Sequence, residues 1–229
     1  MRCIGLIGGM SWESSALYYQ LLNEGVKERL GGLHSARCVL ASVDFAEVEA
    51  MQSDGRWDDA GALLADQARG LEAAGADAVL ICTNTMHKVA DQVAAALTVP
   101  LLHLADVVGD AVLAAGIDTV ALLGTRFTME ESFYRDRLAA RGLIVLTPDA
   151  GDRALVDRVI YTELVLGEVN EESRAAYTAI IGRLAGHGAQ GVVLGCTEIE
   201  LLVGASDVEL PVFPTTRLHA QAAVDFALA

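Results

Sequence analysis

Short, continuously apolar segments alternate along this chain with longer segments whose apolar residues recur every three or four positions. Short apolar runs are typical of strands buried on both faces, and longer amphipathic segments are typical of helices. The pattern predicts strands at 2–7, 36–43, 78–81, 100–104, 119–123, 143–146, 191–194 and 210–213. It predicts helices at 14–30, 56–74, 86–97, 107–115, 129–141, 153–166, 171–187 and 217–228.

Landmarks in the first half of the chain recur in the same order in the second half. Residues 6–8 match 122–124, the glycine-to-cysteine segment 75–83 matches 188–197, and the proline segment 99–101 matches 210–212. Repeated strand–helix alternation favours parallel sheets. The sequence therefore predicts an α/β fold of two similar lobes related by a pseudo-twofold axis, with the active site in the cleft between them. The first lobe is predicted at 1–100, completed by 214–229, and the second at 101–213.

A cysteine follows a predicted buried strand in each half, Cys82 in the first and Cys196 in the second. Ligands of parallel α/β sheets bind at the carboxyl ends of the strands, so both thiols are predicted to face the cleft. Two thiols on opposite sides of one carbon could remove its proton on one face and return a proton on the other. Cys3 and Cys38, inside apolar strands, are interpreted as core residues.

Segments beside the two cysteines supply candidate substrate-binding groups. A glycine-rich segment containing Met10 and Ser11 joins the first strand to the first helix, and Thr125 follows the matching strand. The threonines could equally be helix caps, because Thr197 begins a sequence typical of a capping box. His87 could tune Cys82 or be a packed histidine, and Arg126 could bind a carboxylate or lie on the surface.

The amino-acid composition argues against several classes of function. The net charge is −15, which argues against nucleic acids and anionic membrane surfaces as partners. Only two lysines are present: Lys27 lies in a polar helical segment, and no phosphate-binding glycine motif accompanies Lys88. A pyridoxal-phosphate enzyme is therefore not expected. The five histidines lack the spacing of a metal site, and neither a nucleotide-binding motif nor an export signal is apparent. We expect a cytoplasmic protein with no cofactor and no metal.

Four segments together resemble the aspartate/glutamate racemase superfamily, in its aspartate and broad-specificity amino-acid racemase branch: LIGGMSWESS, ICTNTMHKVAD, LLGTRFTM and LGCTEIELL. The resemblance covers 4–228. It implies a cofactor-independent, two-lobed enzyme, usually a homodimer, that racemises an amino-acid substrate with two cysteines, Cys82 and Cys196 here. It also implies a set of substrate-binding residues: Met10, Ser11, Gln52, Thr83, Asn84, Thr85, Thr125, Thr197 and Glu198.

Departures from the family pattern widen the expected substrate range. No basic residue occurs in 49–52 or 164–166, where aspartate-specific relatives often carry one, so neutral polar amino acids are expected as substrates too. The C-terminal motif reads FPTT at 213–216 instead of FDTT. A hydantoin racemase, a maleate isomerase-like enzyme and a non-catalytic small-acid binding protein remain alternatives.

Overall fold

The structure, a computed structural model, describes every residue from Met1 to Ala229. Its seven strands are β1 (Ile4–Gly8), β2 (Cys38–Ser42), β3 (Ala78–Ile81), β4 (Thr119–Gly124), β5 (Ile144–Leu146), β6 (Gly191–Gly195) and β7 (Val212–Pro214). Its eleven α-helices are α1 (Trp12–Leu30), α2 (Phe45–Ser53), α3 (Trp57–Ala73), α4 (Ala90–Ala95), α5 (Leu104–Ala114), α6 (Arg126–Glu130), α7 (Ser132–Ala139), α8 (Ala150–Thr162), α9 (Glu171–Gly186), α10 (Ile199–Leu202) and α11 (Thr215–Leu228). Two 3₁₀ segments lie at Thr85–Val89 and Leu164–Leu166. The predicted α/β class with two parallel sheets is confirmed.

The chain divides into two compact units. The first comprises Met1–Leu104 and His219–Ala229, and the second comprises Ala105–Leu218. The chain therefore passes into the second unit at the start of α5 and returns within α11. These divisions lie a few residues after the lobe boundaries expected at 100 and 213.

The first unit contains a parallel sheet with strand order β2-β1-β3. Successive side chains of a strand point to opposite faces of the sheet. Ile7 and Ile81 accordingly pack with α3 on one face. Leu6 and Leu80 pack with Tyr18 of α1 and with α11 on the other face. A single bridge between Val79 and Leu101 is all that the segment predicted as a strand at 100–104 contributes to this sheet.

The second unit contains a parallel sheet with strand order β5-β4-β6-β7. Leu123 of β4 and Leu194 of β6 lie beside each other in the register of the two strands. They share a core with Val159 of α8 and Ile180 of α9. This core forms because the apolar faces of α8 and α9 cover one face of the sheet.

Several local differences separate the predicted elements from the structure. Helix α2 was not predicted, because its nine residues mix acidic and apolar side chains. The helix predicted at 129–141 is interrupted at Glu131, whose backbone is extended. The helix predicted at 86–97 begins as a 3₁₀ turn.

No helix is long and apolar enough to cross a bilayer. No group of three or more histidine, cysteine, aspartate or glutamate side chains could hold a metal ion.

Candidate active site

The ends of β4 and β6 form the framework of the site in the second unit. Gly124 and Gly195 are paired at the last position of these two strands. A side chain on Gly195 would approach the Leu123 carbonyl oxygen to 2.9 Å, so the strands can come this close only because glycine lacks a Cβ atom. The chain then continues from Gly124 into Thr125 and from Gly195 into Cys196.

Cys196 is partly buried and packs against the core of the second unit. Its Sγ atom donates a hydrogen bond to the Glu198 carboxylate, with 3.0 Å between Sγ and Oε2. Burial, followed by the negative charge of Glu198, raises the pKa of the Cys196 thiol well above its usual range. The free protein therefore holds this sulfur as a thiol at neutral pH.

Two threonines at the start of α11 anchor that helix to the end of β6. The Thr215 hydroxyl donates to the Leu194 carbonyl at 2.9 Å. The Thr216 hydroxyl donates to the Thr197 hydroxyl at 3.1 Å. The segment FPTT thus fixes the threonine that follows Cys196, with no aspartate in the motif.

Thr125 both caps a helix and lies at a strand end. Its hydroxyl accepts from the Thr128 backbone N–H at 3.4 Å, which begins α6. The backbone N–H of Arg126 donates to the Asp157 carboxylate at 2.6 Å. The Arg126 guanidinium lies over the ring of Phe127, 5.6 Å from its centroid, and therefore stacks on an aromatic face.

The loop after β1 is held by serine side chains. The Ser11 hydroxyl accepts from the Ser14 backbone N–H at 3.2 Å and caps α1. The Ser15 hydroxyl donates to the Ser11 carbonyl and accepts from the Gly9 backbone N–H. Gly9 has a φ of 91°, which glycine adopts without strain. Ser11 therefore has a structural role, whatever its role toward a substrate.

Met10 and Gln52, two predicted substrate-binding residues, are both buried. Met10 packs in the core of the first unit. The Gln52 amide Nε2 donates to the Met86 sulfur at 3.0 Å. This contact joins α2 to the segment that follows β3, so Gln52 lies beside the loop that carries Thr83, Asn84 and Thr85.

A buried histidine holds the loop after β3. The Thr83 carbonyl accepts from His87 Nδ1 at 2.8 Å, and His87 Nε2 accepts from the Leu104 backbone N–H at 3.2 Å. Since a carbonyl can only accept and a backbone N–H can only donate, the tautomer with the proton on Nδ1 is fixed. His87 is thus a packed histidine, which is one of the two interpretations that the sequence allowed.

A second buried histidine, His219, contacts the His87 ring edge-on, with 5.9 Å between the ring centroids, and this contact was not predicted. Its Nε2 donates to the Leu102 carbonyl at 2.7 Å, and its Nδ1 accepts from the Tyr18 hydroxyl at 2.9 Å. Burial lowers the pKa of His219 to about 3. The ring is therefore neutral at physiological pH. The sequence contains little to indicate these contacts, because His219 lies far along the chain from its partners.

Strand register corrects the predicted match between Cys82 and Cys196. Ile81 pairs with Ile7 of β1, and Leu194 pairs with the corresponding Leu123 of β4. Counting one and two residues onward, Cys82 matches Gly195 and Thr83 matches Cys196. Matching the two cysteines by residue type requires a one-residue insertion, which the strands do not contain.

The surroundings of Cys82 agree with this corrected match. Its side chain is fully buried among the apolar residues that face α1 and α11. Burial raises the pKa of the Cys82 thiol far above its usual range. Thr83 is only partly buried and lies two residues after Ile81, on the same face of the strand, as Cys196 lies two residues after Leu194. Thr83, not Cys82, is therefore the counterpart of Cys196.

Comparison with known proteins assigns the chain to a family. The model of the Asp/Glu/Hydantoin racemase family matches residues 7–223. The chain belongs to this family. Racemases are isomerases, so the reaction class follows from the membership.

Solved structures agree with the assignment. A candidate Asp/Glu racemase from Yersinia pestis is 53% identical, with a TM-score of 0.95 and full coverage of both chains. An aspartate racemase homologue from Pyrococcus horikoshii is 31% identical, with a TM-score of 0.89 and full coverage of both chains. An aspartate racemase from Picrophilus torridus is 18% identical, with a TM-score of 0.80 over 99% of this chain and 94% of that one, and supports the fold.

Proposed function

We propose that this racemase interconverts L- and D-amino acids without a cofactor, with aspartate and glutamate among its substrates. The observation that carries the proposal is the position of Cys196, a partly buried thiol at the end of β6 that is hydrogen-bonded to a carboxylate. A thiol can remove and return a proton at Cα more readily than a hydroxyl can, because its pKa lies much closer to neutrality. The names of the relatives support the acidic substrates.

Cys196 is proposed as the acid/base thiol that acts on one face of the α-carbon. The original two-cysteine hypothesis assigned the other face to Cys82. We instead assign it to Thr83, because Thr83 is the register counterpart of Cys196 and Cys82 faces the core. A hydroxyl is a far weaker acid than a thiol, so the two enantiomers should exchange their α-protons at different rates.

Substrate binding is proposed for hydroxyl and amide groups near the strand ends. Thr125 and Thr197 lie at the ends of β4 and β6, while Asn84 and Thr85 follow β3. Hydroxyls and amides bind a carboxylate without introducing a second charged group. Because no basic residue occurs in 49–52 or 164–166, neutral polar amino acids are proposed as additional substrates.

Incubation with a panel of L-amino acids in heavy water tests the proposal. We expect deuterium at Cα together with loss of optical activity, for aspartate and glutamate and more slowly for neutral polar amino acids. Hydantoins and maleate belong in the same panel, because turnover of either one alone would assign the chain to a different reaction of this family. Binding of the amino acids with no exchange would support a binding protein.

Cys196→Ser is the companion variant, and Cys82→Ser is its matched control. The first should lose exchange by about 10²-fold or more for at least one enantiomer, which is the usual contribution of a positioned acid/base group. The second should keep exchange. Exchange that survives Cys196→Ser at the wild-type rate would contradict the proposal.

A further inference from the structure

Thr83 lies just beyond the part of β3 that the sheet holds. The pairing of β3 with β1 ends at Ile81, which lies opposite Ile7. The Cys82 backbone N–H still donates to the Ile7 carbonyl at 2.9 Å, but Thr83 is already past the end of both strands. The direction of the Thr83 side chain therefore depends on contacts outside the sheet.

Side-chain hydrogen bonds hold both peptide groups that flank the Thr83 α-carbon. On the N-terminal side, the Ser14 hydroxyl of α1 donates to the Cys82 carbonyl at 3.1 Å. On the C-terminal side, His87 Nδ1 donates to the Thr83 carbonyl at 2.8 Å. Each peptide group is planar, so the orientations of two successive groups set φ and ψ of the residue between them. Ser14 and His87 thereby set the direction of the Thr83 Cα–Cβ bond.

The His87 ring is itself fixed in place. Its Nε2 accepts from the Leu104 backbone N–H at 3.2 Å, so both ring nitrogens are bonded. The rings of His103 and His219 pack edge-on against it, with 4.6 and 5.9 Å between centroids. His87 is 3% exposed, and burial of a polar ring is costly unless its hydrogen bonds are made. What the imidazole provides, and an apolar side chain would not, is the pair of bonds that ties the Thr83 carbonyl to the start of α5.

We propose that His87 and Ser14 are positioning residues for Thr83, which hold its side chain toward the α-carbon of the substrate. The inference rests on the proposed function, in which Thr83 acts on one face of Cα. Proton transfer is sensitive to small displacements, and a shift of about 1 Å can cost about 10²-fold in rate. Neither His87 nor Ser14 exchanges a proton with the substrate, so both act only through Thr83.

Two substitutions of His87 separate its two hydrogen bonds. In His87→Asn the amide Nδ2 lies close to the position of Nδ1 and can still donate to the Thr83 carbonyl, while the acceptor for Leu104 is lost. In His87→Gln the amide Oε1 reaches about as far as Nε2 and can accept from Leu104, while the donor to Thr83 is lost. Each variant gives up one buried hydrogen bond, so the two are matched in their expected cost to stability.

Exchange of the α-proton is measured separately for L- and D-aspartate in heavy water, at equal concentrations of folded protein. Thr83→Val identifies the enantiomer whose exchange depends on Thr83. We expect His87→Gln to slow that enantiomer by about 10²-fold and to leave KM and the other enantiomer near their wild-type values. His87→Asn should stay close to the wild type. The double variant of His87→Gln and Thr83→Val should be no slower than Thr83→Val alone, because residues that act through one group are not additive.

Ser14→Ala tests the same proposal with a smaller change, which keeps it testable if the His87 variants do not fold, and it should slow the same enantiomer. The proposal is overturned if His87→Asn is as slow as His87→Gln, if both enantiomers slow equally, or if the loss in His87→Gln adds to that in Thr83→Val. Wild-type exchange in His87→Gln or in Ser14→Ala overturns it as well. Wild-type exchange of both enantiomers in Thr83→Val would instead reject the function proposed for Thr83, and the inference with it.

Discussion

Cys82 and Thr83 are adjacent residues with different surroundings. Cys82 lies in the core that faces α1 and α11, whereas Thr83 lies at the position that Cys196 occupies in the second unit. Because side chains alternate along a strand, a shift of one residue moves a side chain to the other face of the sheet. The apolar patterns located both strand ends to within one residue, but residue type alone could not decide which neighbour faces the ligand side.

Cys82→Ala should therefore be a stability variant. Removing a fully buried sulfur is expected to lower the free energy of unfolding by about 1–2 kcal/mol, within the usual range for core truncations. Urea denaturation measures this change. The Michaelis constants should stay at their wild-type values, and a raised KM with unchanged stability would contradict the assignment of Cys82 to the core.

Thr83 should control the balance between the enantiomers. Thr83→Val removes the hydroxyl at nearly constant volume and should slow racemisation by about 10²-fold. Thr83→Cys supplies a thiol at the position matching Cys196 and should bring the α-proton exchange rates of L- and D-aspartate closer together. Thr83→Ser, which keeps the hydroxyl, is the matched control. Equal effects of valine and serine would argue against a role for the hydroxyl.

Two threonines of α11 contact the end of β6, and we expect different effects from replacing them. Thr215→Val removes a buried hydrogen bond to the Leu194 carbonyl and should cost about 1–3 kcal/mol of stability with little change in KM. Thr216→Val removes the bond to the Thr197 hydroxyl and should raise KM for aspartate. Comparing the two variants by denaturation and steady-state kinetics tests whether Thr197 contacts the substrate. The same KM in both variants would argue that it does not.

The packing of α10 against α11 introduces a pH dependence of stability. Glu200 is partly buried, and its buried Oε1 atom has no hydrogen-bond partner. Burial raises the pKa of Glu200 from 4.5 to about 7 against the opposing effect of Arg217. Between these two pH values the folded state binds more protons than the unfolded state. The contribution of Glu200 to the stability of the fold is therefore present below about pH 4.5 and is lost as the pH rises towards 7.

Glu200→Gln should remove that pH dependence. Relative to the wild type, the variant should gain stability as pH rises from 4.5 to 7, by at most about 3 kcal/mol for a shift of this size. Chemical denaturation of both proteins across this range measures the difference. A constant difference between the two proteins would show that Glu200 titrates at its ordinary pKa.

Individual elements were predictable to different degrees. The strands β1, β3, β4 and β6 followed from continuous apolar runs, which are typical of a sheet buried on both faces. The segment at 100–104 is also mostly apolar but contributes only the bridge at Leu101, since the pairing partner available to a strand is set by the tertiary fold. Helix α2, with Gln52 at its end, lacked a clear helical pattern because few of its residues are buried.

At the scale of the whole molecule, the repeat in the sequence corresponds to two units with parallel sheets. The glycine and proline landmarks identified the repeat because they mark the turns that each unit needs. The histidine network in the first unit was not predictable, since it joins Tyr18, His87 and His219 from distant segments. Only the fold brings such residues together.

The proposed independence from cofactors is tested on the whole molecule. After dialysis against a chelator, and with no pyridoxal phosphate added, the protein should racemise aspartate at an unchanged rate, because the proposed chemistry uses only its own side chains. The measurement is racemisation before and after dialysis, with metal analysis of the same sample. Loss of activity that returns on adding a divalent cation would contradict the prediction.

Cα deuterium exchange in one pair of alanine variants tests the central claim most directly. L- and D-aspartate are incubated separately in heavy water with the wild type, Cys196→Ala and Cys82→Ala, and uptake is followed by NMR at equal concentrations of folded protein. We predict that Cys196→Ala loses exchange by about 10²-fold or more for at least one enantiomer, whereas Cys82→Ala exchanges both at close to the wild-type rates. Loss of exchange in Cys82→Ala, or full exchange of both enantiomers in Cys196→Ala, would contradict the account.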